Sequence, residues 1–251
     1  MDDQLCFVQF PHPGPEHQPD AEGFKDWNRG THKRKFLKSY GHYVDNNKQI
    51  DDDIVFWGEW EPQSCVVKYY QTPKADYPKY LNKPYYETPN DRLKCQNTDP
   101  FVFGESFYYT GCRQYRKGKP TQLRHLNRGS LVLFGSSVRS HFVLDTVFVV
   151  ADYIDHAKSN WKSVLDGRIS TTYRSVTIEP WYNEDRPESQ IHRLYIGATV
   201  HNPLNGMFSF FPCQQFNKIG NGFARPEIVL PGKIKPKLCM NTKNTDNLEM
   251  N

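Results

Sequence analysis

Phe142-Val143-Leu144-Asp145-Thr146-Val147-Phe148-Val149-Val150-Ala151 is the most apolar stretch of the chain. Its β-branched and aromatic content, over a length too short to span a membrane, predicts a central strand. Alternation puts Val143, Asp145, Val147 and Val149 on one side. An acid among three valines must find a partner, an Arg, a Lys or a backbone N–H, or line a pocket. Other strands are read at Leu5–Phe10, Ile54–Trp60 after an acidic turn at Asp51–Asp53, Cys65–Tyr70, Phe101–Phe103, Ser106–Thr110, Leu131–Phe134, Tyr173–Ile178, Arg193–Val200 and Met207–Phe211. Asn205-Gly206 is a hairpin signal before the last of these. One helix is expected, capped by Asp155 and ended by Gly167, with Ala157, Trp161, Val164 and Leu165 on one face.

Strands that do not alternate with helices oppose a doubly wound parallel sheet. The expectation is an α+β, β-rich domain, an antiparallel barrel or curled sheet with a few peripheral helices. It would be a single domain over 1–236, with a long irregular insertion near 71–100, where five prolines fall. The polar residues 237–251 read as a flexible tail.

The 251 residues bury enough surface to fold without disulfides or a structural metal. The net charge of +4 permits an acidic partner without demanding one. The six cysteines are widely spaced and form no CxxC pair, so free thiols in a reducing compartment are expected. The opening MDDQLCFVQFPHPGPEH lacks a basic start followed by an apolar run, and no segment is long and apolar enough for a membrane helix. A cytoplasmic protein without a membrane association follows as the expectation.

Chemistry-bearing residues gather in four places. In Phe56-Trp57-Gly58-Glu59-Trp60-Glu61-Pro62, alternation sets Trp57, Glu59 and Glu61 on one side and Trp60 on the other. Indoles can stack on a base while a carboxylate accepts from its edge; equally, the indoles can be core and the acids solvated. The run 25–38 carries Arg29, His32, Lys33, Arg34, Lys35 and Lys38 against one Asp, a pattern that contacts phosphates or forms a solvated surface. Residues 113–139 hold seven Lys or Arg, Arg124 among them, and no acid. They lead to Gly135-Ser136-Ser137, whose backbone N–H groups could meet an anion. The acids Asp99, Glu105, Asp145 and Asp152 match no metal-nuclease spacing. His12 and His17 could ligate a metal but have no identifiable third ligand. No cofactor and no metal is therefore assigned.

Leu123 to Ser137, followed by Phe142 to Asp152, resembles the PUA-like superfamily of ASCH, EVE and YTH domains: a basic segment, a Gly-polar turn, an apolar strand ending in an aromatic, and a second strand ending FVV-A-D. Trp27 beside the basic run and the Trp57–Trp60 pair resemble the same group. The pattern is also similar to phage- and antiviral-defence families linked to nucleotide modification. The resemblance implies a small barrel that reads a modified or flipped base in an aromatic pocket.

The resulting expectation is a nucleic-acid or nucleotide binding domain. Trp57 and Trp60 would be the walls and Glu59 the base-edge acceptor. Arg29, Lys33, Arg34, Lys35, Arg124 and Ser136 would contact the nucleic acid. The alternative is a nucleotide- or nucleic-acid-processing enzyme in which Glu59 and Glu61, with His32 or Asp99, supply acid, base or metal ligation. A third class is a subunit whose basic surfaces dock partner proteins in a larger assembly.

Overall fold

The computed structural model describes residues 5–12, 14–46, 48–71, 77–86, 94–138, 140–184, 186–228 and the backbone of 242–244. Among the described residues, fourteen strands form two six-stranded sheets and one small hairpin. The strands are β1 (Cys6–His12), β2 (Phe24–Lys25), β3 (Lys35–Asp45), β4 (Lys48–Gly58), β5 (Ser64–Tyr69), β6 (Tyr80–Pro84), β7 (Tyr108–Tyr109), β8 (Tyr115–Arg116), β9 (Lys119–Pro120), β10 (Leu131–Val138), β11 (His141–His156), β12 (His192–Gly197), β13 (Cys213–Gln215) and β14 (Thr242–Asn244). The first sheet has the order β14-β1-β10-β11-β12-β7, the second β13-β4-β3-β6-β5-β2, and β8 pairs with β9. Each large sheet contains one parallel pairing, β1 with β10 and β3 with β6. Each also ends in two different edge strands. The strand-rich, helix-poor expectation holds, and among the described residues the architecture is a pair of open mixed sheets.

The central strand is present and longer than expected. β11 runs on to His156, so Asp155 is a strand residue held by Arg193 and Arg124 and does not cap a helix. The expected helix shrinks to one turn, α1 (Trp161–Val164). Tyr173–Ile178, read as a strand from Val176, Thr177 and Ile178, is helical. Ser170 Oγ accepts the Tyr173 N–H and starts α2 (Thr171–Tyr173). A π-turn over Arg174–Ile178 then leads into α3 (Glu179–Asn183). Burial of Val176 and Ile178 in the core outweighs their strand preference. Asp51–Asp53 lie within β4 opposite His42, Gly41 and Tyr40, not in a turn. The Pro-rich insertion contains β6, which sits between β3 and β5. Asn205 and Gly206 both adopt positive φ in the expected turn, bracketed by the Leu204–Met207 bridge. The tail call falls on residues outside those described, apart from 242–244, which pair antiparallel with β1.

The largest apolar cluster joins the two sheets and the helical segment. Leu37, Ile54 and Phe56 come from the second sheet, Ile154 and Leu194 from the first, and Trp161, Tyr173, Val176 and Ile178 from the helices. Cys65, Cys112 and Cys213 are free thiols, and Cys239 lies outside the described residues. Among the described residues no helix is long and apolar enough to cross a membrane.

Candidate functional site

β4 ends at Gly58, and the extended residues after it send alternate side chains to opposite sides. Trp60 enters the core against Phe103, with ring centroids 4.7 Å apart. Glu59 and Glu61 turn the other way, into a buried polar cluster. His12 at the end of β1 brings Nδ1 to 3.1 Å from Glu59 Oε2. Arg34, just before β3, donates from Nη1 to the same oxygen at 2.7 Å. The Asp99 N–H donates to Glu59 Oε1 at 2.9 Å. His32 Nδ1 lies between the two acids, 3.0 Å from Glu61 Oε1 and 3.5 Å from Glu59 Oε1. Asn28 Nδ2 donates to Glu61 Oε2 at 2.6 Å. His17 Nε2 approaches that oxygen at 3.3 Å, off hydrogen-bonding geometry. The His32 ring is 35% exposed, whereas the side chains of His12, His17, Glu59, Glu61 and Arg34 are 4% exposed or less. Among these residues His32 is the opening to solvent.

Arg34 extends the network. Its Nε lies 3.4 Å from Asp145 Oδ2. Asp145 also receives Ser136 Oγ at 3.0 Å and Arg225 Nη1 at 3.2 Å. The arginine partner that burial demands of Asp145 is therefore present. β10 and β11 shift register here, Phe134 pairing with Thr146 and Gly135 with Leu144, so Asp145 is the extra residue of a bulge. A bulge re-aims a side chain, and this one turns an acid from the strand toward two arginines. Gly135 is required opposite it, because a Cβ there would lie 2.2 Å from Val143 O.

Burial and pairing set the charges. Burial raises the cost of ionising Glu59, but His12, His32 and Arg34 overcome it and hold the carboxyl well below its ordinary range. Glu61 is lowered in the same way by His17 and His32 against burial. Burial also opposes charge on His32, yet the two carboxylates raise its pKa to about 11. His12 is pushed down to about 4 by burial and by Arg34. Burial pushes the Asp99 carboxyl well above its usual range, against the Cys112 and Thr110 N–H groups that it accepts.

The structure thus brings together Glu59, Glu61 and His32, and adds His12, His17 and Asn28. Asp99 joins through its backbone, its carboxylate being engaged elsewhere. The other expected contacts need correction. Trp57 and Trp60 are 4% and 0% exposed and are core residues, so neither forms the wall of an open pocket. Arg34 is internally paired, and Lys35, fully buried, donates to Pro62 O at 2.9 Å. Arg124 is buried, donating to Ile191 O and pairing with Asp155. Ser136 holds Asp145. Of the expected phosphate contacts, Arg29 is exposed and Lys33 half-buried.

On the Trp60 side lies a groove of about 550 Å³, lined in part by Lys38, Tyr40, Lys83, Tyr86 and Phe103. Tyr40 is 70% exposed and Tyr86 46%. The Tyr86 ring rests on Trp60, centroids 5.3 Å apart. Composition did not single out these tyrosines; only the hairpin of β3 and β4 and the Pro-rich segment after β6 bring them together.

No known protein family, curated protein or solved structure matches this chain.

Proposed function

We infer that the chain binds a nucleotide or a single-stranded nucleic acid in the Trp60-side groove. One observation carries this reading. Exposed Tyr40 and Tyr86 offer ring surfaces in a groove where Lys83 can meet phosphates, with Lys38 beside it already paired to Asp53 at 2.8 Å. A volume of this size suits a nucleotide-sized ligand. The likeness of residues 123–152 to PUA-like base readers, and a cytoplasmic setting in which the thiols stay reduced, agree with it. Trp60 would support the stacking surface from below, not touch the base.

Affinity for a panel of oligonucleotides, modified bases and free nucleotides tests the reading. Stacking on an aromatic is worth about 1–3 kcal/mol per base, so Tyr86→Ala should weaken binding about tenfold or more. Lys83→Ala should weaken it less and flatten its salt dependence. Absence of binding at low salt to every member of the panel refutes it.

The buried carboxylate–imidazole cluster favours a second reading, an enzyme that processes nucleotides or nucleic acid with Glu59, Glu61 and His32. A product formed from DNA, RNA or nucleotides that disappears in Glu59→Gln distinguishes this enzyme from a binding module.

A further inference from the structure

The geometry points to a divalent metal site formed by His32, Glu59 and Glu61, taking a first-row ion with mixed nitrogen and oxygen preference, of the Zn²⁺ or Mn²⁺ kind. The assignment concerns the cluster of the enzymatic reading but does not require that reaction, and it is independent of the groove.

Three ligand atoms, one from each residue, lie within 4.8 Å of one another. Two of the separations are 3.0 and 3.5 Å, from His32 Nδ1 to Glu61 Oε1 and Glu59 Oε1. A tetrahedral ion at the usual metal–ligand lengths of about 2.0–2.2 Å spaces its ligand atoms by roughly 3.4 Å. Two of the three spacings thus already lie near that value, and the two carboxylate oxygens must come to it as well for the three atoms to share one ion. An imidazole ligand disfavours Ca²⁺ and Mg²⁺, which select oxygen.

The surroundings match what a metal site needs beyond its ligands. Carboxylate ligands work when their remaining positions are fixed by outer hydrogen bonds. Here Arg34 and His12 hold Glu59 Oε2, and Asn28 holds Glu61 Oε2; both Oε1 atoms face His32, that of Glu59 while also accepting the Asp99 N–H. His17 is a separate sign of an incomplete site. Its ring is 3% exposed, and Nε2 faces the cluster without a hydrogen-bond partner among the described residues. An ion at the triad would draw Glu61 and leave His17 as a support or a fourth ligand. The partly exposed His32 ring supplies the entry path. Three protein ligands leave a position open for water or a substrate oxygen, as in catalytic sites rather than closed structural ones.

Binding of ZnCl₂ and MnCl₂ to the chelator-treated protein, by calorimetry and by metal analysis after gel filtration, tests this without any substrate. One equivalent is expected. Glu61→Gln should lower affinity at least about 100-fold, and His12→Ala, an outer support, about 10–100-fold. His32→Gln, at the most exposed position of the cluster, should also abolish stoichiometric binding. Circular dichroism on each variant separates lost binding from lost fold. Co²⁺ in place of Zn²⁺ should show the visible absorption of a low-coordinate ion, absent in His32→Gln. No stoichiometric binding, or binding unchanged in folded His32→Gln and Glu61→Gln, overturns the assignment. If nucleotides are processed and no metal binds stoichiometrically, the enzymatic reading stands while the metal site falls; if metal binds and no product forms, the reverse holds.

Discussion

Asp145→Asn removes one charge from the bulge in β11 and keeps nearly the same shape. The carboxylate is 2% exposed, so its partners have little solvent to turn to. Deleting one member of a buried ion pair costs about 3–5 kcal/mol, mostly because the other charge is stranded. Arg34 keeps Glu59 at 2.7 Å, whereas among the described residues Arg225 keeps the Ser136 hydroxyl, the Trp57 ring 4.7 Å from its guanidinium carbon and a more distant attraction to Glu16. Arg225 is therefore the stranded group, and the amide oxygen still accepts a hydrogen bond. The lower end, about 3 kcal/mol, is expected. For a chain of this size that is a fall of roughly 6–12 °C in Tm. Urea unfolding gives the free energy directly and calorimetry the Tm. Adding Arg225→Met to Asp145→Asn should recover at least half of the loss, since no charge is then left unpaired at that end. Nucleotide affinity in the groove should not move in either variant. A single-variant loss under about 1 kcal/mol, or a double variant as unstable as the sum of the singles, refutes the argument.

Gly135→Ala places a Cβ against the Val143 carbonyl and should cost about 1–3 kcal/mol or more in urea unfolding; a neutral result would mean the bulge is not held as described. Trp60→Ala should cost about 3–5 kcal/mol, because the indole is fully buried under Tyr86 and Phe103. Part of the acid limb of stability should trace to His156 and His192. Burial, with His192 nearby, holds His156 at about 3, and burial, with Arg186 and Arg124, holds His192 at about 4. Both lie below the unfolded value of about 6.5, so their contribution is whole above that pH and is lost as pH falls toward 4. His192→Phe should flatten this limb in melts from pH 4 to 7. It should not destabilise at pH 7, since neither ring nitrogen has a hydrogen-bond partner among the described residues.

Local pattern made some of this legible. An acid in an apolar strand had to be paired, and Asp145 is. Period-two alternation put Glu59 and Glu61 together and Trp60 opposite, and both relations hold. What pattern could not supply were partners distant in sequence. His12 and His17 are obvious candidates for ligands, but the carboxylates they meet arrive from the far end of β4. Basic clustering was misleading for Arg34, Lys35 and Arg124, because their charges satisfy buried acceptors instead of facing solvent. Tyr173–Ile178 read as a strand because the deciding forces, a Ser170 cap and burial against the two sheets, are respectively a single residue and a tertiary effect.

β1 joins β10 in parallel, Phe7 beside Leu131 through His12 beside Ser136. No short turn can make that connection, so closing it costs loop entropy before any contact repays it. During synthesis the strand carrying Phe7, Val8 and Phe10 must wait until β10 has been made, some 124 residues later by the Phe7–Leu131 pairing. At about 5–20 residues per second that wait is roughly 6–25 s, long on the scale of chain collapse. Throughout it, an apolar strand lacks its parallel neighbour and is open to wrong pairings. His12 rides on that strand, so the imidazole–carboxylate cluster is completed only once this long-range parallel pairing has formed.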